Sequence, residues 1–268
     1  MLRASLPMYD LPGLEAETDA WWAALAAAFR AEGLADVPAA LDRGTELARL
    51  WTAPDLLFSQ TCGYPLTHSL KGQVTLLATP GYACDGCSGG RYHSEILVRK
   101  GGDYADLWAL KGARAVVNDP GSQSGYAALR AVIAPLADGM PYFADVGISG
   151  SHLDSMTVVA EGGADVCAVD CVTFALLARL HPDLRAELHP IARSPSAPAL
   201  PYITRRDIPE SDLERLRAGL RHAFDDPALQ GLRDSLLLAD VEVKPLEAYD
   251  RIDAMEAEAV QHGYPEVV

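Results

Sequence analysis

The stretch from Ala113 to Leu180 constrains the fold more than any other part of this chain. Three short apolar runs, Ala113–Val117, Tyr142–Ile148 and Asp165–Val169, alternate with three helical patterns, Tyr126–Leu136, Leu153–Glu161 and Val172–Leu180. Short apolar runs bounded by turn residues read as buried strands, and apolar spacings of three and four read as amphipathic helices. A βαβαβα order implies a parallel sheet with right-handed crossovers and helices on its faces. Gly162 and Gly163 stop the second helix, because glycine takes up the left-handed conformation that closes a helix C-terminus.

The flanks repeat the alternation. Arg3–Met8 reads as a strand and Leu14–Glu32 as a helix, with Trp21, Leu25 and Phe29 on one stripe. Thr45–Trp51 looks helical, Asp55–Ser59 is a buried strand followed by the polar turn Gln60–Gly63, and Val74–Ala78 and His93–Arg99 are further strands. Ala192–Pro201 is a connection rich in proline and serine, and the chain from Glu210 is largely helical, notably Leu213–Phe224 and Ala248–His262. The middle block is entered near Leu97 and left near Ser194, as in a domain inserted between two halves of another. The expected fold is therefore α/β, with two lobes joined by two crossover segments and a mixed, mostly parallel sheet in each. Lobe 1 comprises residues 1–95 and 195–268, and lobe 2 residues 96–194.

Composition narrows the function. A chain of 268 residues that is 49% hydrophobic can bury a large core, and its net charge of −15 argues against nucleic acid and anionic membrane surfaces. No apolar run approaches the ~20 residues of a membrane span. The opening MLRASLPMYDLP carries no export signal, so the expectation is a cytoplasmic monomer, or a periplasmic one if a leader has been removed.

Ligands of open α/β sheets sit outside the carboxyl ends of the strands. At one such end, NDPGSQSGY runs from strand into helix, where unpaired backbone N–H groups and the helix dipole attract anionic oxygens. Asp-Pro-Gly is also ordinary turn chemistry and Ser122 an ordinary helix N-cap, and the segment matches neither GxxxxGK[ST] nor GxGxxG. The other ends are equally polar: Met8-Tyr9-Asp10, Ser59-Gln60-Thr61, Ser149-Gly150-Ser151-His152, and Asp170. His152 can donate to an anion or act as general acid or base. Asp170 either caps its helix or takes an amino or hydroxyl group of a ligand, and Tyr9 and Tyr202 either pack at a sheet edge or cover an aliphatic part. The candidate ligand-binding set is Tyr9, Ser59, Gln60, Thr61, Ser122, Gln123, Ser124, Tyr126, His152, Asp170 and Tyr202. The remaining histidines, His93 among them, read as surface or core.

Five cysteines give a single CxxC, Cys84 and Cys87 in the glycine-rich YACDGCSGG, while Cys62, Cys167 and Cys171 sit elsewhere. Without a second CxxC there is no zinc pattern, so structural or incidental cysteine is the expectation, with no metal and no cofactor. In an exported protein Cys84 and Cys87 could pair as a disulfide.

LKGARAVVNDPGSQSGY, GISGSH and AEGGADVCAVDCVTFALL together resemble segments of the phosphonate- and phosphite-type solute-binding proteins of ABC importers. The resemblance runs from the first strand to about Asp207. It implies two α/β lobes of the type II periplasmic-binding-protein fold, with a cleft that closes on a small anion or zwitterion, and an ABC permease as partner. Ser122-Gln123-Ser124 matches the family's Ser-Thr-Ser helix start and would hold the oxyanion, His152 matches its GSH turn, and Asp170 its acidic residue for a ligand amino group. Gln123 stands where the family has a hydroxyl residue, which implies a wider site or one suited to a planar carboxylate. The alternative is a cytoplasmic enzyme on the same scaffold, dehydratase- or synthase-like, with His152 as acid or base.

Overall fold

The computed structural model describes residues 2–268. The chain divides into two compact units. The first holds the described residues up to Ala83, with Ser88–Gly90 and Pro198–Ala248, and the second holds Cys84–Cys87, Arg91–Ala197 and Tyr249–Val268.

In the first unit the strand Leu56–Gln60 is buried at every position. It pairs in parallel with Arg3–Ala4 and antiparallel with Tyr202–Arg205. The latter pairs antiparallel with Val74–Tyr82, and Leu238–Glu242 closes that edge, again antiparallel. The helix Glu15–Ala31 buries Trp22 and the stripe Trp21, Leu25 and Phe29 visible in the sequence. It packs against the helix Glu210–Asp225. Gly219 makes that approach possible, since a Cβ there would lie 2.6 Å from Phe29 Cδ1. Phe58 joins the two layers, its ring 5.5 Å from Phe29 and 4.9 Å from Tyr202. Each fully buried aromatic or leucine of this kind contributes about 1.5–3 kcal/mol of transfer free energy.

The second unit carries a sheet in the order Asp145–Ile148, Arg114–Val117, Val166–Asp170, Ser94–Arg99, Leu188–Arg193. The βαβαβα block supplies the parallel pairings, and Ser94–Arg99 and Leu188–Arg193 complete the sheet antiparallel. Its core includes Ile96, Val117, Leu129, Ile133, Val166 and Ala259.

Two expectations are corrected. The sheets are mixed, but antiparallel pairs outnumber the parallel one in the first unit and equal the parallel ones in the second. Apolar alternation fixes which face of a strand is buried and carries no strand direction; direction follows from the connections. The C-terminal residues expected in lobe 1 instead belong from Tyr249 to the second unit. There Ile252, Met255 and Ala259 of the helix Asp250–Gln261 are buried, and the buried Arg130 donates to the Pro265 carbonyl at 2.7 Å and to Glu256 at 3.1 Å.

Smaller shifts concern element ends. The first strand spans only Arg3–Ala4. The helix after the Ser-Gln-Ser turn starts at Gln123 rather than Tyr126, as one π-helical turn, Gln123–Ala127, leading into Ala128–Ala137.

Candidate ligand-binding site

The second unit brings together the ends of three adjacent parallel strands and the helices that follow them. Ser122 caps the first of these helices, its Oγ accepting from Gly125 N at 3.0 Å. The Ala127 amide reaches back to the Ser122 carbonyl at 3.0 Å, closing the wide turn that single π-helical turns make at functional sites. Gly125 is obligatory here. A Cβ at that position would lie 1.8 Å from Asn118 Oδ1 and 3.3 Å from His152 Cε1. The turn thereby brings Ser124 against the histidine, with Ser124 Oγ 2.8 Å from His152 Nε2.

Asp170 ends the next strand and does two things at once. Its Oδ1 accepts from Thr173 N at 2.8 Å, capping the helix Cys171–Leu180, while Oδ2 lies 3.4 Å from His152 Nε2. Asp170 is 2% exposed. Burial pushes His152 below its ordinary value and Asp170 above its own, and their mutual attraction opposes both shifts. His152 Nδ1 and Asn118 Oδ1 are both buried with no hydrogen-bond partner. A buried polar atom left unmatched costs about 1–3 kcal/mol, so a cluster of this kind is poised to accept a polar group.

The other candidates in this unit face elsewhere. Gln123 is 1% exposed and directs Nε2 to Met255 Sδ at 3.8 Å, toward the C-terminal helix. Tyr126 accepts from Val267 N at 3.1 Å, and Arg130 stacks on its ring.

In the first unit, Tyr9, Gln60 and Tyr202 line a small cavity of about 30 Å³ with Trp21 and Tyr82. Gln60 Nε2 donates to Tyr82 Oη at 2.9 Å and to the Leu200 carbonyl at 3.0 Å, and the Tyr9 ring meets Tyr82 edge-on. Ser59 is fully buried between Ser5 Oγ at 2.7 Å and the Trp51 indole N–H at 3.2 Å. Thr61 Oγ1 is buried with no hydrogen-bond partner.

Sequence reasoning missed two participants. Asn118 stands at the end of the Arg114–Val117 strand and was readable only as a turn residue; its role depends on Gly125 leaving room for it. Cys171 does not sit apart from the CxxC, since its Sγ lies 3.4 Å from Cys87 Sγ.

Two units with mixed sheets, and polar loops at the ends of parallel strands, have the architecture of the type II periplasmic-binding-protein fold. Residues 53–250 of the 268 match the model described as ABC transporter, phosphonate, periplasmic substrate-binding protein, and the chain belongs to that family. Solved structures agree in fold. A binding-protein component of an ABC phosphonate transporter from Pseudomonas aeruginosa superposes with a TM-score of 0.79 at 14% identity, covering 97% of this chain and 87% of that one. PhnD1 from Prochlorococcus marinus, in complex with methylphosphonate, gives 0.75 at 13% identity over 97% and 98% of the two chains. XAC2383 from Xanthomonas citri, bound to ATP, gives 0.73 at 15% identity over 97% of each. No curated protein matches the sequence. The resemblance read from the sequence, and the two-unit α/β fold it implied, are both borne out.

Proposed function

We propose that this solute-binding protein captures a small oxyanion-bearing solute, phosphonate-like in chemistry, for an ABC-type importer. The observation that carries the reading is the Ser124–His152–Asp170 cluster, with Ser124 Oγ and Asp170 Oδ2 both on His152 Nε2. A tetrahedral oxyanion arriving at Ser124 would take over hydrogen bonds from the hydroxyl and from Nε2–H, and its charge would favour the imidazolium that burial otherwise suppresses. Asp170 then balances that imidazolium from the other side. The family match supports the transport role.

An enzymatic reading on His152 finds no support in this geometry. In a nucleophile–base–orienter set the carboxylate holds the ring nitrogen opposite the nucleophile. Here serine and carboxylate compete for the same nitrogen.

Isothermal titration with methylphosphonate, phosphate, phosphite and methanesulfonate tests the proposal. One-site binding of at least one of them, weakened by His152→Ala and with no product detected by mass spectrometry, is the expected result. Failure of all four at millimolar concentration would reject the oxyanion class, and turnover of any would reject the binding role.

A further inference from the structure

The CxxC loop lies outside the ligand cluster, and it is not an isolated pair of thiols. Cys87 Sγ lies 3.4 Å from Cys84 Sγ and 3.4 Å from Cys171 Sγ, and all three sulfurs fall within 4.8 Å of one another. Metal–thiolate bonds of about 2.3 Å place sulfurs roughly 3.8 Å apart at tetrahedral angles and ~4 Å apart in a trigonal plane. The two 3.4 Å spacings are a few tenths of an ångström short of those values and the third is no more than 4.8 Å, so an ion could enter with only small side-chain rotations.

The local chain is built to hold this geometry. Gly86, at φ +92, turns the loop so that Cys87 N donates to the Cys84 carbonyl at 3.1 Å. A Cβ on Gly86 would lie 1.7 Å from His93 Cε1, so the turn and the imidazole are packed face to face. His93 binds the Gly86 carbonyl through Nδ1 at 3.1 Å and Glu95 Oε1 through Nε2 at 3.0 Å. Arg193 bridges Glu95 and Asp85, bracing the loop from its other side. Cys171 arrives from a different element, as the first residue of the helix Cys171–Leu180, and its amide donates to the His93 carbonyl at 3.0 Å.

We propose that Cys84, Cys87 and Cys171 form a three-thiolate site for a thiophilic d10 metal ion, Cu(I) or Zn(II). Soft thiolates select such ions over hard cations. Among the described residues no fourth His, Cys, Asp or Glu donor joins the group. That arrangement suits trigonal Cu(I) directly, and leaves Zn(II) an open position for water or an exogenous ligand. Cys84 and Cys87 are half-buried and Cys171 buried, so entry is from the loop side. Coordination by thiolates expels the thiol protons to solvent, and no redox change accompanies it. Cys62 and Cys167 take no part.

The test uses the full chain, reduced and handled without oxygen. Zn(II) is titrated against a chromogenic chelator, Cu(I) against bicinchoninate, and X-ray absorption counts the sulfurs. The proposal expects one equivalent of at least one ion, three sulfur neighbours near 2.3 Å, and a loss of affinity of 100-fold or more in each of Cys84→Ser, Cys87→Ser and Cys171→Ser. Cys62→Ser should bind as the wild type does. Wild-type protein supplies a readout that needs no variant: loading should block iodoacetamide labelling of the three cysteines together. Substoichiometric binding of both ions to fully reduced protein would overturn the site. So would binding indifferent to Cys171→Ser, which would reduce it to a two-thiol contact.

Discussion

Ser124 Oγ lies 2.8 Å from His152 Nε2, although the two residues come from different strand ends of the second unit. This contact makes the Ser-Gln-Ser turn more than a helix cap, because the cap is already supplied by Ser122. Ser124→Ala should therefore act twice. It leaves the buried imidazole short of one neighbour, costing about 1 kcal/mol of stability. It also removes a hydroxyl from the proposed oxyanion site, and a hydrogen bond to a charged group is worth about 1.5–3 kcal/mol, or roughly tenfold or more in affinity. Urea denaturation and titration with methylphosphonate measure the two separately. Unchanged affinity would move the oxyanion away from this turn.

Gly125 sits where the Asn118 side chain and the His152 ring converge. Gly125→Ala puts a methyl 1.8 Å from Asn118 Oδ1, and the Asn118 side chain or the turn must shift to admit it. Overpacking of this kind typically costs about 1–3 kcal/mol. The expected result is a lowered urea midpoint together with lost ligand binding, and partial recovery in Gly125→Ala combined with Asn118→Gly. If the double variant is no more stable than the single one, the Asn118 contact is not the cause.

The sequence was informative wherever a signal is local. Trp21, Leu25 and Phe29 mark the buried face of their helix, and the glycine pair at 162 and 163 marks a helix end, because period and capping are properties of a few consecutive residues. Ser124, His152 and Asp170 could be grouped because the loops at strand ends meet by construction. What local pattern could not carry was direction and distant partnership. Nothing in Ser94–Arg99 says that it runs antiparallel to Val166–Asp170. Cys171 joins Cys87 across 84 positions, a distance at which no motif spacing applies. Gln123 was read as a ligand donor, yet its neighbour is Met255 of a helix that the sequence reading placed in the other lobe.

That misplaced helix makes a prediction about Arg130. Arg130 is 3% exposed, and its guanidinium ties the chain end to the second unit through the Pro265 carbonyl and Glu256. Glu256 is partly exposed and Pro265 exposed, so the loss is that of the hydrogen bonds and the buried side chain, about 1–3 kcal/mol. Arg130→Ala should lower the melting temperature and open the segment after Tyr249 to limited proteolysis, while Arg130→Lys recovers only part of the loss, since a lysine cannot make both contacts with fork geometry. Uniform cleavage throughout both units, with no early release of the C-terminal segment, would count against this anchoring.

The last prediction concerns acid stability. Asp165 accepts from Arg114 through the backbone amide at 2.7 Å, Nε at 3.1 Å and Nη2 at 2.8 Å, fixing the start of the Val166–Asp170 strand against its parallel neighbour. The guanidinium hydrogen bonds hold the carboxyl below its ordinary value, against the opposing effect of partial burial. A carboxylate depressed in the folded state adds stability that is fully present above its unfolded pKa, about 4, and is lost as pH falls through the lower folded value. Asp165→Asn should accordingly melt below the wild type at neutral pH, and the gap should close as the pH drops below about 4. Thermal melts of the two proteins at matched ionic strength across that range decide the matter. A gap that stays constant down to acid pH would mean that shape and neutral hydrogen bonding, rather than the carboxylate charge, account for the contribution of Asp165.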